Sequence, residues 1–253
     1  MAILRTDLYS QSLDMDTSLV VILPQDEARD QEPPRVLYLL HGLSNNCMAW
    51  LKHTSIVELA IERNFAVVMP EVQRSFYSDM AHGLPYFRYV AKELPELCET
   101  LFGLSRRRED NFIAGLSMGG YGAAKFALTN PEQYAACASF SGCVDILGVS
   151  DPDEKVLRDI ASITGGAAIP LGAEHDLFAL TDRALEQGQS LPRMLLTCGT
   201  EDFLHEGNQK FRTHLSEQSV PFTYREWAGE HNWKFWRESL LLAFDFFDGK
   251  ELP

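Results

Sequence analysis

The sequence predicts an α/β fold: a mostly parallel central sheet covered by helices on both faces. Three observations predict it. Apolar runs at residues 35–40, 65–70, 111–114, 134–140 and 193–198 are short and nearly uninterrupted, as strands buried on both faces require. Stretches with helical spacing alternate with them, at 55–63, 86–101, 123–128, 206–218 and 233–247. Two further strands at 3–10 and 17–23, joined by a short turn, open the chain as a β-hairpin. In such sheets ligands sit beyond the carboxyl ends of the strands, so each functional residue should directly follow a strand.

Each element has a local reason. Residues 24–34 are polar and carry prolines, which reads as a loop. The run 35–40 stops at His41-Gly42-Leu43-Ser44-Asn45-Asn46, a set of turn formers. Residues 71–85 are long, irregular and aromatic. In 86–101, Tyr86, Val90, Leu94, Leu97 and Leu101 share one helical face, and Pro95 should kink or split the helix because it has no N–H to donate. Asn130-Pro131 ends the helix after 123–128. Trp233, Trp236, Leu240, Phe244 and Phe247 recur at steps of three and four and form a terminal amphipathic helix. Residues 144–190 are acidic and weakly patterned, with Gly165-Gly166 and Pro170. They read as an insertion or cap-like segment over the sheet edge, near the carboxyl ends of the strands. Residues 1–253 are therefore expected to form one domain.

Composition excludes several functions. The 253 residues include 22 Lys and Arg against 36 Asp and Glu, a formal charge of -14. Nucleic acid is not an expected partner, because phosphate binding needs clustered basic residues. Arg106-Arg107-Arg108, the one basic run, reads as a solvated turn. Five cysteines, Cys47, Cys98, Cys137, Cys143 and Cys198, have irregular spacing and no C-x-x-C, so reduced thiols are expected. The first residues lack the apolar stretch of a signal peptide, and no run reaches membrane-spanning length. The expected location is the cytoplasm, without membrane insertion; a homo-oligomer is left open. Neither a metal-ligand spacing nor a phosphate-binding glycine motif occurs, so no cofactor and no metal are expected.

The chemistry concentrates at Gly115-Leu116-Ser117-Met118-Gly119, between a short apolar strand and a run of helix formers. G-x-S-x-G in that setting is a nucleophile elbow: a sharp turn that lifts one serine hydroxyl out of the sheet. Small flanking residues are needed because strand and helix backbones converge there. Gly120 and Gly122 are expected to let the helix lie against neighbouring strands. A serine hydroxyl needs a base within hydrogen-bond reach, and imidazole, which titrates near neutrality, suits the task. The chain order on this scaffold is serine, acid, histidine. His175, His205, His214 and His231 all follow Ser117. His231 alone sits in the loop between a last strand at 222–227 and the terminal helix. Glu201 and Asp202 both follow the strand ending at Cys198, and the order rule does not separate them. A tetrahedral intermediate needs donors, expected from the Met118 and Leu43 backbone N–H groups. His41 reads as a structural residue of its turn. Trp50, Phe76, Tyr77 and Tyr86 are candidate walls of a substrate pocket.

These motifs, with Leu39-Leu40-His41-Gly42-Leu43-Ser44, Trp50-Leu51-Lys52, Phe76-Tyr77-Ser78-Asp79, Lys92-Glu93-Leu94-Pro95, Ser139-Phe140-Ser141-Gly142, Asp202-Phe203-Leu204 and Gly229-Glu230-His231, run collinearly along most of the chain. Together they resemble the esterase D-like α/β-hydrolases and look closest to bacterial tributyrin esterases. The resemblance implies an α/β-hydrolase fold and hydrolysis of short-chain carboxylic esters. It implies Ser117, Asp202 and His231 as the triad, and so selects Asp202 over Glu201. Relatives in that group include S-formylglutathione hydrolases and feruloyl and acetyl-polysaccharide esterases; transfer to an acceptor other than water, as in acyltransferases on the same fold, is the alternative reading. The formylglutathione enzymes carry a cysteine soon after the Gly-Leu turn. Here Ser44 and Asn45 stand there and Cys47 comes later, which argues against a glutathione substrate.

Overall fold

Alternation along the first strand sets the edge of the sheet. In β1 (Ala2–Ser10) every second side chain turns to solvent, and β1 pairs antiparallel with β2 (Met15–Leu23) through a turn in which Asp14 has φ +52°. The structure is a computed structural model that describes residues 1–24, 33–146, 148, 153–166 and 174–252. The remaining strands are β3 (Arg35–Leu40), β4 (Phe65–Pro70), β5 (Asn111–Leu116), β6 (Ala136–Phe140), β7 (Arg193–Gly199) and β8 (Phe222–Trp227). They form one eight-stranded sheet in the order β1-β2-β4-β3-β5-β6-β7-β8. The β2–β4 pair is antiparallel, and from β4 to β8 every pairing is parallel.

The uninterrupted apolar strands have a simple cause. Successive strand residues point to opposite faces, and both faces here are covered. Val36, Tyr38 and Leu40 join one apolar cluster while Leu37 and Leu39 join the other. The second cluster lies under α1 (Ala49–His53), α2 (Ile56–Glu62) and α9 (Trp233–Phe247); the first lies under the remaining long helices. Helix α1 had no periodicity long enough to be read from the sequence.

The helical run after the aromatic loop is divided, as Pro95 requires. It comprises α3 (Tyr86–Arg88), a π turn (Tyr89–Glu93) and α4 (Leu94–Phe102). Pro95 sits in the first turn of α4, directly after the π turn that breaks the regular hydrogen-bond register. The Glu93 carboxylate accepts hydrogen bonds from Ser10 Oγ, Gln11 N–H and Ser12 N–H at 2.8, 2.6 and 2.8 Å, tying this run to the hairpin tip. Helix α5 (Met118–Thr129) follows β5, and α8 (His205–Glu217) lies between β7 and β8.

Residues 144–190 contain two helices among the described residues. These are α6 (Glu154–Thr164) and α7 (Leu177–Glu186), the crossover joining neighbouring strands β6 and β7. Helix α7 packs on α5 and α8 and buries Leu177, Leu180 and Ala184. Helix α6 does lie near the carboxyl strand ends: Arg74 pairs with Asp159, and Ala81 and His82 N–H groups donate to Ile163 and Ser162 carbonyls. Residues 147, 149–152 and 167–173, including Pro170, lie outside the described residues, as does 25–32 of the expected polar loop.

The five cysteines are free and buried. The arginine run is only partly a solvated turn. Arg107 pairs with Asp110, whereas Arg108 donates to the carbonyls of Pro131, Tyr134 and Ser190. Among the described residues no helix is long and apolar enough to cross a membrane.

Candidate active site

Ser117 stands between β5 and α5 with φ +54° and ψ −119°, a conformation that costs a non-glycine residue of order 1–3 kcal/mol. The surroundings hold it there. Its N–H donates to Phe140 O at 2.9 Å, and its carbonyl accepts from Cys143 N–H at 3.1 Å and Tyr121 N–H at 3.0 Å. A Cβ on Gly115 would come within 2.4 Å of the Gly119 backbone, and one on Gly119 within 2.5 Å of Leu40 O. Both positions of the motif therefore require glycine for close approach. Gly122 also makes a close approach, but to the Tyr77 ring and not to a strand; Gly120 backs onto Gly142 and Ser139.

Asp202 and His231 arrive on the loops after the adjacent parallel strands β7 and β8. Those loops are fastened together. Thr200 N–H donates to Trp227 O and Glu201 N–H to Gly229 O, each at 3.1 Å. The Glu201 carboxylate accepts from Gly229 N–H and Thr200 Oγ1, and the first of these bonds is the main cause of its lowered pKa. Glu201 is exposed and holds the loop. The buried Asp202 carboxylate faces the imidazole: His231 Nδ1 lies 2.8 Å from Oδ2 and 3.0 Å from Oδ1. His231 Nε2 lies 3.0 Å from Ser117 Oγ. The carboxylate on Nδ1 defines the tautomer, with the proton on Nδ1 and the Nε2 lone pair turned to the serine. Capping of α9 falls to Asn232, whose Oδ1 accepts from Lys234 and Phe235 N–H groups, so His231 is not spent on the helix end.

Met118 is the first residue of α5, where an N–H has no intrahelical acceptor. Leu43 follows the end of β3. Among the described residues neither N–H meets a backbone acceptor in the turns and loops. His41 lies under this loop and is buried. Its Nδ1 lies 2.9 Å from Gly42 O and its Nε2 accepts from Val72 N–H at 3.2 Å. The four aromatic residues read as pocket walls are all buried: Trp50 0%, Phe76 2%, Tyr77 0% and Tyr86 3% exposed. Trp50 Nε1–H donates to Leu40 O at 3.1 Å, and the Tyr77 hydroxyl donates to His41 O at 2.9 Å. These two brace the loop that carries Leu43 from beneath. Phe76 packs edge-on to Tyr121.

Three side chains, two beside the imidazole and one further along α5, escaped the sequence reading. Phe203 is 69% exposed and its ring lies 4.6 Å from that of His231; Trp236 packs edge-on against the same imidazole at 4.9 Å. Lys125, two turns beyond Ser117 on α5, is 2% exposed. Its Nζ meets Ser78 Oγ at 2.8 Å and His175 Nδ1 at 3.3 Å and faces the rings of Phe87 and Tyr121. Burial pulls the Lys125 ammonium down to about 7, against upward pulls from Glu174 and Asp79. Burial, then the Lys125 charge, lowers His175 to about 4. The only sequence signal for Lys125 was one cation inside the apolar run 123–128. The other histidines are engaged elsewhere: His205 with Glu226 and His214 beside Asp182.

Two larger cavities lie away from Ser117. One of about 410 Å³ lies between the hairpin tip and α4, and one of about 220 Å³ lies beside Lys125 and α7. Volume does not locate the chemistry here; the hydrogen-bonded side chains do. Among the described residues no group of three His, Cys, Asp or Glu side chains could hold a metal ion.

A mostly parallel sheet with a serine on a strand-to-helix turn at its carboxyl edge defines the α/β-hydrolases. The Esterase family matches residues 10–247, and the chain belongs to that family of carboxylic ester hydrolases, within its esterase D-like group. An acetyl esterase of Caldicellulosiruptor saccharolyticus is 32% identical over 260 residues, 97% of this chain and 98% of its own. FphF of Staphylococcus aureus, a fluorophosphonate-binding serine hydrolase, superposes with a TM-score of 0.87 and 34% identity, covering 97% of this chain and 98% of its own. An S-formylglutathione hydrolase (FrmB) from Staphylococcus aureus gives 0.86 and 34% over the same shares.

Proposed function

We propose that this chain, folded as a single domain, hydrolyses short-chain acyl esters through an acyl-enzyme on Ser117, with His231 as base and Asp202 as its partner. The observation that carries the reading is the continuous hydrogen-bond path from Asp202 through His231 to Ser117 Oγ, at 2.8 and 3.0 Å. His231 Nε2 takes the hydroxyl proton as Ser117 Oγ attacks the ester carbonyl. The oxyanion is held by the Leu43 and Met118 N–H groups, each worth roughly 3 kcal/mol to the transition state. The imidazolium returns its proton to the departing alcohol. Water then gives a proton to Nε2 as it attacks the acyl carbon, and the acid leaves as the imidazolium returns that proton to Ser117 Oγ. Asp202 holds the imidazole in place and stabilises its charged form without taking the proton.

The acetyl esterase relative supports a short acyl group. Ser44 and Asn45 after the Gly-Leu turn, and a Cys47 that is 3% exposed with its N–H on Glu71, support an oxygen ester over a glutathione thioester. Ser117→Ala is the test. It is expected to keep the thermal transition of the native protein and lower turnover of p-nitrophenyl acetate and butyrate by roughly 10³-fold or more. Undiminished turnover overturns the assignment.

A further inference from the structure

Phe203 is out of place for an apolar residue. Its neighbours Asp202 and Leu204 are 5% and 6% exposed, whereas Phe203 is 69% exposed. The loop after β7 aims Asp202 at the imidazole and Leu204 into the core, which leaves the ring between them on the surface. It does not hang free. The ring lies 4.6 Å from that of His231, tilted by 56°, on an imidazole already packed edge-on by Trp236. Phe203 also lines a crevice of about 20 Å³ with Gly142, Val144 and Asp145 after β6 and Glu206 and Gly207 on α8. That β6 loop is joined to the nucleophile by the bond from Cys143 N–H to Ser117 O. One apolar face is thus held at the rim of the reacting centre, on the imidazole side.

The chemistry says which half of a substrate meets that face. The carbonyl oxygen must point to the Leu43 and Met118 N–H groups. The leaving oxygen must lie within hydrogen-bond reach of His231 Nε2, because that nitrogen protonates it. The alcohol half of the ester therefore passes beside the imidazole and Phe203. We propose that Phe203 is a specificity-determining residue for the alcohol half, favouring esters whose alcohol carries a flat apolar ring. This rests on the triad reading given above. The ring offers an offset or edge-on contact, and such aromatic pairs add to simple area burial. An alkyl alcohol of two carbons is too small to cover the ring.

The test compares benzyl acetate with ethyl acetate on the same acyl group. Both pass through one acetyl-enzyme, so their kcat/KM values differ only in steps that involve the alcohol. The quantity read is the benzyl-to-ethyl ratio of kcat/KM. Phe203→Ala is expected to lower that ratio about three- to ten-fold, and Phe203→Leu to lower it less. A ratio unchanged in Phe203→Ala overturns the proposal, whether both activities fall together, as a mere support for His231 would make them, or neither falls. Circular dichroism and thermal melting of both variants show that the comparison is made on folded protein. Ser117→Ala separates the two readings: if it keeps hydrolysing both esters, the triad assignment fails before the Phe203 question is reached.

Discussion

Replacing Lys125 by Met tests the least expected side chain in the molecule. Nζ is buried between Ser78, His175 and two aromatic rings, and burial holds its pKa near 7, far below the value of about 10.4 for a lysine in an unfolded chain. Below pH 7 the amine is protonated in both states, and the native state carries the full cost of a desolvated charge. As pH rises past 7, the native amine releases its proton while the unfolded chain keeps it. The unfolded state then binds more protons, and stability rises with pH by up to about 1.36 kcal/mol per unit. Integrated from about pH 6.5 to 8.5 with a native pKa near 7, the gain is roughly 2 kcal/mol. Methionine fills a similar volume without a charge, so Lys125→Met lacks this term. Its stability relative to the native chain should be highest at the acid end of the window and fall by roughly 2 kcal/mol towards the alkaline end. Urea unfolding of both proteins at the two pH values gives the double difference. The buried thiols of Cys98 and Cys137, raised by burial to about 12, act with the opposite sign at alkaline pH, but they are common to both proteins and cancel. A double difference under about 0.5 kcal/mol would refute the reasoning, since the native amine would then keep its proton throughout.

Two further outcomes are expected. Asp202→Asn presents an amide to Nδ1 and favours the tautomer with its proton on Nε2, so kcat for p-nitrophenyl acetate should fall by roughly 10³- to 10⁴-fold with the fold retained; a loss under about ten-fold would remove Asp202 from the mechanism. Glu93→Ala removes the acceptor of three hydrogen bonds from the hairpin tip and should cost about 2 kcal/mol in urea unfolding, with little effect on kcat. Burial raises the Glu93 pKa, but the bonds from Ser12, Ser10 and Gln11 outweigh it and leave it lowered. The contribution is therefore present above the unfolded value and fades as pH drops through the native one, so the gap between native chain and variant should close in acid.

Features set by short separations along the chain were legible from the residues. The order of strands and helices follows from periodicity over about ten residues, and 35–40 and 65–70 become β3 and β4 with the same ends. The elbow is legible because part of its requirement is local: a Cβ on Gly115 would strike the Gly119 backbone four residues on, whereas one on Gly119 would strike Leu40 O at the end of β3. Pro95 divides its helix for an equally local reason. Tertiary structure alone decided which polar groups are aimed and which are trapped. Ser117 and His231 are 114 residues apart, and their contact depends on a sheet order that places β8 beyond β7 and fastens their loops. Glu201 and Asp202 are adjacent carboxylates, and only the fold of their loop gives one to Gly229 and the other to the imidazole. Trp50 and Tyr77 carry aromatic rings whose polar atoms could go to many partners; the fold sends them to the Leu40 and His41 carbonyls of the β3 loop. Residues 177–186 pack on α5 and α8, elements far from them in the chain. Periodicity records which residues avoid water, one element at a time, whereas burial of a lysine or exposure of a phenylalanine depends on every element packed around it.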